Sequence, residues 1–477
     1  MTQSDSPADL KPSLERFRET HGDGEIAVLH APARINILGE HVDYVSYLPT
    51  ASLPFGSAEH GMRMLFRANE DGAIRGASLT DAFPPFEFSI ADESFSDESW
   101  ETRIFSRPAP APHWSNYARG AVSFARWKHG AALDRGFSFL IDSTIPANSG
   151  ASSSSALVVL AGAAVRQANG IAYRPEELAR ESAQAEWYLG TRGGALDHMA
   201  ICLARRGHAV HLLHAKQETH LVPVPSDGYR WITFFSHPAA KGGEVMLAYN
   251  ERAAVSRILI PALLDDLRRH SSWFGEDWDQ AMSKLAADTA MGCDELESLL
   301  GEMPDAITLD EFARQCPAAF RDCESAFPAL VAAGDDRPLN LLDRSLHHLG
   351  EIARVAAALD WLRDSRPDRA MRGLGELIND CHDSLRSLYD VCTPEVDALV
   401  DILRRDPQVY GSRLMGGGFG GNVLALTAAE YAPSLVNRVQ AEFYAPRGRD
   451  ARGEGSVMIS TPGDGLSSVE CGGSPPL

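Results

Sequence analysis

Residues 146–157 read PANSGASSSSAL, a glycine- and serine-rich turn set between a strand-like run and a long apolar stretch. Upstream, residues 136–144 alternate, with Phe137, Phe139 and Ile141 on one face and Ser138, Leu140 and Asp142 on the other, as in a strand buried unevenly on two sides. Downstream, residues 156–168 are dense in Ala, Val and Leu and suit a helix. A strand feeding a helix through such a turn commits the chain to layered sheet and helix. It also leaves unpaired N–H groups and about half a positive charge at the helix start, where an anionic phosphate can settle without a lysine. The serine hydroxyls can cap the helix or hold a magnesium ion. Simple helix capping is the alternative, and the stretch is not a Walker A loop, since it lacks G-x-x-x-x-G-K-[ST].

At 477 residues, two or three domains are expected, with length enough for a buried core. A net charge of -21 argues against a nucleic-acid partner, so an anion such as ATP would need local cations, magnesium and helix ends. Seven scattered cysteines without a C-x-x-C pair suit reduced thiols in a cytosol. The N-terminal residues have no signal-peptide pattern, and no apolar run reaches membrane-spanning length; a cytoplasmic protein without a membrane partner is expected. Oligomeric state is not legible.

Along the chain, a polar tail with a short helix over residues 12–21 leads into mixed strand and loop from Glu25. RPAPAP at 107–112 breaks the chain before helices over 115–127 and 174–189. Strand-like text at 209–213 and 230–236 precedes a long helical region over about 246–403, and strands return at 422–427 and 456–460. The order implies an α+β protein of two lobes: a tail at 1–22, an N-terminal domain at 23–225, a C-terminal domain at 226–463, and a tail without structure at 464–477.

Two further segments carry chemistry. APARINILGEHVDY at 31–44 packs Arg34, Asn36, Glu40, His41 and Asp43 beside Gly39, a set of donors and acceptors suited to a polyol, although a solvated surface loop would hold the same charges. GSRLMGGGFGGNVLAL at 411–426 has five glycines among six residues before a strand, which permits close backbone approach to a ligand.

With these three segments in this order, the chain resembles the GHMP family of small-molecule kinases, and within it the members that phosphorylate galactose. WSNY at 114–117, GTRGGALDH at 190–198, YNER at 249–252 and NDCHDSLRSLYDVCTPE at 379–395 are similar to further family motifs. The resemblance runs from about Ala31 to Thr461. It implies a two-lobed fold, with an N-terminal lobe like domain 2 of ribosomal protein S5, a ferredoxin-like C-terminal lobe and an active site in the cleft between them. It also implies MgATP and a sugar as substrates. By the same resemblance, Asp197 matches the general base and Arg34 the arginine that keeps it ionised and stabilises the transferring phosphoryl group. Ser154 and Glu186 match the magnesium ligands. Gly150, Ser152 and Ser153 would line the phosphates, and Trp114 and Tyr117 would lie near the adenine. Glu40 and His41 align with residues around the sugar's C6 hydroxyl and Asp43 with those around C3 and C4, while Gly194 and Tyr249 complete the pocket.

Departures from the family pattern include a shortened loop after Tyr44, Asn148 in place of a phosphate-loop glycine, Ala151 for leucine, Ser155 for alanine, His198 for glutamine and Asn422 for cysteine. They bear on the exact sugar and on nucleotide affinity. N-acetylgalactosamine remains open; galacturonate is disfavoured by charge repulsion at Glu40, and arabinose by the hydroxymethyl group it lacks. Mevalonate and homoserine kinases do not need the Glu-His-x-Asp cluster. A catalytically silent sugar sensor is opposed by the complete set Arg34, Ser154, Glu186 and Asp197.

Overall fold

The computed structural model describes residues 10–93, 99–146, 150–190, 193–238, 243–333, 337–451, 453 and 456–469. Two compact units emerge. One gathers Met1–Ile35, Phe55–Val210 and Met458–Leu477; the other gathers Asn36–Pro54 and His211–Val457. Where a single border near residue 225 is expected from sequence, the chain interleaves, and the segment 36–54 with its polar cluster belongs to the second unit. Within the tail expected to lack structure from 464, Ser467–Val469 forms a strand paired antiparallel with Val28, Leu29 and His30, and residues 470–477 lie outside the described residues.

In the first unit, a sheet runs in the order Ser467–Val469, Ala27–Asn36, Pro54–Asn69, Gly136–Ser143, Ala73–Ser78, Phe86–Ser89. The strand before the serine turn, Gly136–Ser143, is central in it. It is antiparallel to Pro54–Asn69 and parallel to Ala73–Ser78. Residues 136–141 are buried on both faces, because helices cover one side of this sheet position and the amino-terminal helix Lys11–His21 packs on the strand as well. The alanine-rich helix forms over Ser153–Ala168, almost wholly buried, and packs against Ser115–His129, Pro175–Glu186 and Leu196–Leu203. Small side chains allow that close helix contact without a gap.

The second unit is built on a sheet in the order Val409–Met415, Gly421–Ala428, Tyr229–His237, Val457–Ser460, the last strand being where the chain leaves this unit after Val457. Reading those strands in chain order as second, third, first and fourth gives the split β-α-β pattern of a ferredoxin-like sheet. The helix Pro367–Ser387 lies on the edge strand Val409–Met415, and two glycines permit the approach: a Cβ on Gly411 would strike the Gly375 carbonyl, and one on Gly375 would strike the Tyr410 carbonyl. The helical stretch 271–336, unassigned from sequence, has a structural use. Phe274, Trp278, Leu296, Leu300 and Phe312 form one buried cluster with Tyr44, Val45 and Leu48, so these helices make an apolar bed under the loop that follows Glu40 and His41.

Gly411→Ala should therefore lower unfolding stability by about 1–3 kcal/mol, the usual cost of overpacking. Urea unfolding followed by circular dichroism checks this; an unchanged midpoint would mean that helix and strand can separate freely.

Candidate active site

The serine turn ends at Ser152, which precedes the helix Ser153–Ala168 in a left-handed conformation (φ 61°). A non-glycine residue held there costs conformational energy and is found where the surroundings enforce it. The expected hydroxyl cap is not made: Ser152 forms no side-chain hydrogen bond to the first turn. Gly150 also has positive φ, 82°, and its carbonyl accepts from Arg34 Nη1 at 3.3 Å. Asn148 lies outside the described residues.

Arg34, near the end of the strand Ala27–Asn36, is buried, and its Nε donates to Asp197 Oδ1 at 2.6 Å. Asp197 sits in the first turn of the helix Leu196–Leu203. Burial pushes its carboxyl up, but the charge and hydrogen bond of Arg34 outweigh this and hold it below the usual carboxylate range. The proton-free form of Asp197 is thus native.

Glu186 closes the helix Pro175–Glu186. Its Oε2 accepts from Ser155 Oγ at 2.9 Å and lies 2.9 Å from Nε2 of the buried His198. The hydroxyl that reaches Glu186 is therefore the one after Ser154, the serine expected beside it. Two of the departures from the family pattern, Ser155 and His198, meet on this one carboxylate. Ser153 and Ser154 are part-exposed in the helix's first turn. Tyr117 lies close enough for the Glu186 charge to act on it; burial first, then that charge, pushes its hydroxyl up to about 12. Trp114 donates from Nε1 to the Pro84 carbonyl at 2.7 Å and meets Phe86 edge-on at 4.6 Å, so its ring is fixed by its own unit's packing.

Glu40, His41, Asp43 and Tyr249 lie in the second unit, whereas Gly194 lies in the first, three residues before Asp197. Gly39 turns the chain with φ 82°, and a Cβ there would strike the Ala51 carbonyl. The N–H groups of Gly39 and Glu40 donate to Glu351 Oε2 at 2.6 and 3.0 Å. Glu351 is fully buried and its Oε1 accepts from Arg354 Nε at 2.6 Å. Burial raises the Glu351 carboxyl, but Arg354, then His347 and Arg413, bring it down to about 2.

Glu40 is almost wholly buried, and its Oε2 accepts from Arg413 Nη1 at 2.9 Å, from the Gly416 N–H at 3.1 Å and from Asn36 Nδ2 at 3.2 Å. Arg413 spends its other donors on the carbonyls of Ile37, Asn36 and Leu414. His41 has φ 59°, its Nδ1 lies 2.9 Å from Tyr44 Oη, and burial brings its pKa down to about 4. Its ring faces those of Tyr389 and Tyr249 at 4.7 and 6.1 Å between centroids. Asp43 is half-buried, and its charge favours the Arg257 cation that burial disfavours. Arg413, Glu351, Arg354 and Tyr389 were not anticipated from sequence. Arg413 stands inside the glycine segment, and Glu351 and Arg354 have helical i, i+3 spacing, a weak signal on its own.

The first unit thus sets a helix start beside an Arg–Asp pair, and the second holds a rigid set of buried donors and acceptors around Glu40. Family models for the GHMP kinases N terminal domain and the GHMP kinases C terminal domain match residues 116–205 and 351–445. In both of these stretches the chain is similar to the GHMP kinases. A third model, the galactokinase galactose-binding signature, matches residues 15–51. The chain is similar to the galactokinase of Homo sapiens, 28% identical over 442 residues that cover 91% of this chain and 92% of that one. It is also similar to that of Chloroflexus aggregans, 28% identical over 469 residues covering 97% and 98%. In fold it resembles Lactococcus lactis galactokinase complexed with galactose (TM-score 0.68, 24% identity, 96% of this chain and 99% of that one). A mevalonate kinase shares the fold at a TM-score of 0.53 and 13% identity, covering 92% and 98%.

Because burial is the largest influence on Asp197, removing its cation should reverse the net shift. Stability from the ionised carboxylate is present above the unfolded pKa and is lost as pH falls through the lowered native value. In Arg34→Gln the acid limb of the kcat/KM profile should move to higher pH. A limb that stays in place would show that Arg34 does not govern this ionisation.

Proposed function

We propose that the protein transfers the γ-phosphoryl group of ATP to the anomeric hydroxyl of galactose, giving galactose 1-phosphate and ADP. The observation that carries this reading is the 2.6 Å ion pair of Arg34 with Asp197, whose arginine also donates to the Gly150 carbonyl of the serine turn. Phosphoryl transfer needs alignment and charge neutralisation more than covalent chemistry, and this pair supplies both. Ionised Asp197 accepts a hydrogen bond from the attacking hydroxyl and orients it, or takes its proton. Arg34 holds Asp197 ionised and offers positive charge to the transferring group.

The polyphosphate would lie on the first turn of the helix Ser153–Ala168, against Gly150, Ser152 and Ser153, where N–H groups face outward. The adenine would lie by Trp114 and Tyr117. For the sugar, Glu40, His41, Asp43, Gly194 and Tyr249 are the proposed contacts, with Glu40 and His41 toward C6. The identity of the sugar rests on the galactokinase relatives, which match almost the whole chain, and on the galactose-binding signature over Glu40, His41 and Asp43.

Magnesium fits the donor set. Ser154 and Glu186 offer hard oxygens, and the polar contacts of Glu186 among the described residues fall on Oε2. When bound, the ion neutralises phosphate charge. The cytoplasm is the proposed compartment; among the described residues no helix is long and apolar enough to cross a membrane.

The test is ADP release with MgATP across galactose, N-acetylgalactosamine, galacturonate, arabinose and glucose, with the product's position read by NMR. Galacturonate belongs in the panel because Arg413 already neutralises Glu40, which weakens the charge repulsion expected there. Turnover on galactose to a 1-phosphate is expected, and Asp197→Asn should lower kcat at least a hundredfold, the scale of general-base assistance. Exclusive turnover of another sugar would overturn the galactose assignment. Magnesium titration of Ser154→Ala and Ser155→Ala separates the neighbouring serines. Ser154→Ala should raise the magnesium requirement, while a shift confined to Ser155→Ala would transfer the metal role to the serine that touches Glu186.

A further inference from the structure

A chain of buried hydroxyls ends on His41, and its direction follows from one serine. Ser256 Oγ lies 2.8 Å from the carbonyl of Arg252, one turn back in the same helical run. It also lies 3.4 Å from Tyr389 Oη and 3.4 Å from His348 Nε2. Serine has one proton and two acceptor sites. A carbonyl cannot donate, so without that proton the 2.8 Å contact would set two lone pairs against each other. The proton therefore goes to Arg252, and Ser256 accepts from the other two. His348 is consistent with this, since its Nδ1 lies 2.7 Å from Tyr47 Oη, which can donate to it.

Tyr389, giving its proton to Ser256, must accept from Tyr44, whose hydroxyl is 2.8 Å away. Tyr44, its proton spent, must then accept from His41 Nδ1 at 2.9 Å. His41 is left with a bare Nε2, and this atom is buried with no hydrogen-bond partner among the described residues. We propose that Ser256, Tyr389 and Tyr44 are positioning residues that fix His41 as the Nδ1–H tautomer, so that its Nε2 accepts from, and thereby requires, a ligand hydroxyl that donates. Burial keeps the ring neutral, consistent with one bare nitrogen. In the galactose reading, on which this last step rests, that hydroxyl is the one at C6. An ether or fluorine in its place, which can accept but not donate, is rejected because it sets lone pair against lone pair.

The proton's place can be read directly by long-range ¹H–¹⁵N NMR of the full-length protein with ¹⁵N-labelled histidine, in which the His41 signals are the ones missing from His41→Gln. In the free wild type, Nδ1 should carry the proton. In Tyr389→Phe, Tyr44 loses its acceptor and turns to donate to Nδ1, so the proton should move to Nε2. Ser256→Ala should do the same by releasing Tyr389 to donate toward Tyr44, and it leaves the rings packed on His41 intact should Tyr389→Phe fold poorly. A wild-type ring protonated at Nε2, or one unmoved in both variants, would overturn the proposal.

Kinetics supply the ligand half. Wild type should show a KM for 6-deoxy-6-fluorogalactose roughly tenfold above that for galactose, the scale of one hydrogen bond. In both variants that ratio should shrink while kcat stays within about twofold. Equal wild-type KM values beside the expected spectrum would overturn the C6 hydroxyl requirement but not the tautomer. Failure to turn over galactose at all would overturn the functional reading, and the spectrum, which needs no sugar, would still decide the tautomer.

Discussion

A buried guanidinium organises the second unit. Arg413 has no exposed surface, and its donors go to the Glu40 carboxylate and to the carbonyls of Ile37, Asn36 and Leu414. An unpaired charge at such a site costs about 3–5 kcal/mol, so the loop after residue 36 is bound to the strand Val409–Met415 by a partner it cannot release cheaply. Glu351 completes the arrangement from below, taking the N–H groups of Gly39 and Glu40 and pairing with Arg354. Glu40 is thus as much a structural residue as a candidate sugar contact. The rigidity suits it to recognition: a carboxylate already held in place loses little freedom when a hydroxyl arrives.

The first unit works on a different principle. Its candidate chemistry depends on one ion pair between a strand end and a helix start, and on a second helix start that Ser152 does not cap. Burial pushes the Asp197 carboxyl up and Arg34 brings it down, so the two residues form one electrostatic device rather than two independent contributions. Among the described residues of both units, Gln217, Asp390 and three others hold positive φ without being glycine. Those three, His41, Ser152 and Phe419, each lie inside one of the three segments that stand out in the sequence. Such conformations persist only where surrounding contacts over-determine them.

Much of this was legible beforehand because it is local. The strand Gly136–Ser143, the helix Ser153–Ala168, the helix at Ser115 and the strand Gly421–Ala428 all follow from periodicity and punctuation. The long strand Pro54–Asn69 escaped notice, since its glycines and histidine interrupt any alternation and its pairing depends on distant partners. The strand Ser467–Val469 escaped for a similar reason: serine-rich text reads as tail until Val28, Leu29 and His30 offer it a partner. Of the candidate site, Arg34 and Asp197 could be named from their motifs, and the structure sets them 2.6 Å apart across 163 residues of chain. Arg413 could not be given its use, because a charge among glycines does not announce which carboxylate it will meet.

The sequence by itself determined the kind of chemistry: a phosphate-ready helix start, a polar cluster suited to a polyol and a glycine loop, each written in consecutive residues whose backbone preferences need no outside help. Tertiary structure decided which of those groups remain available. It spent Glu40 Oε2 on Arg413, gave Glu186 to Ser155 and His198, and left His41 Nε2 unpartnered among the described residues. The physical reason is that local propensity acts over a turn or two of chain, whereas desolvation and charge pairing act through space. The state of a buried polar atom is set by whichever distant residues the fold brings against it.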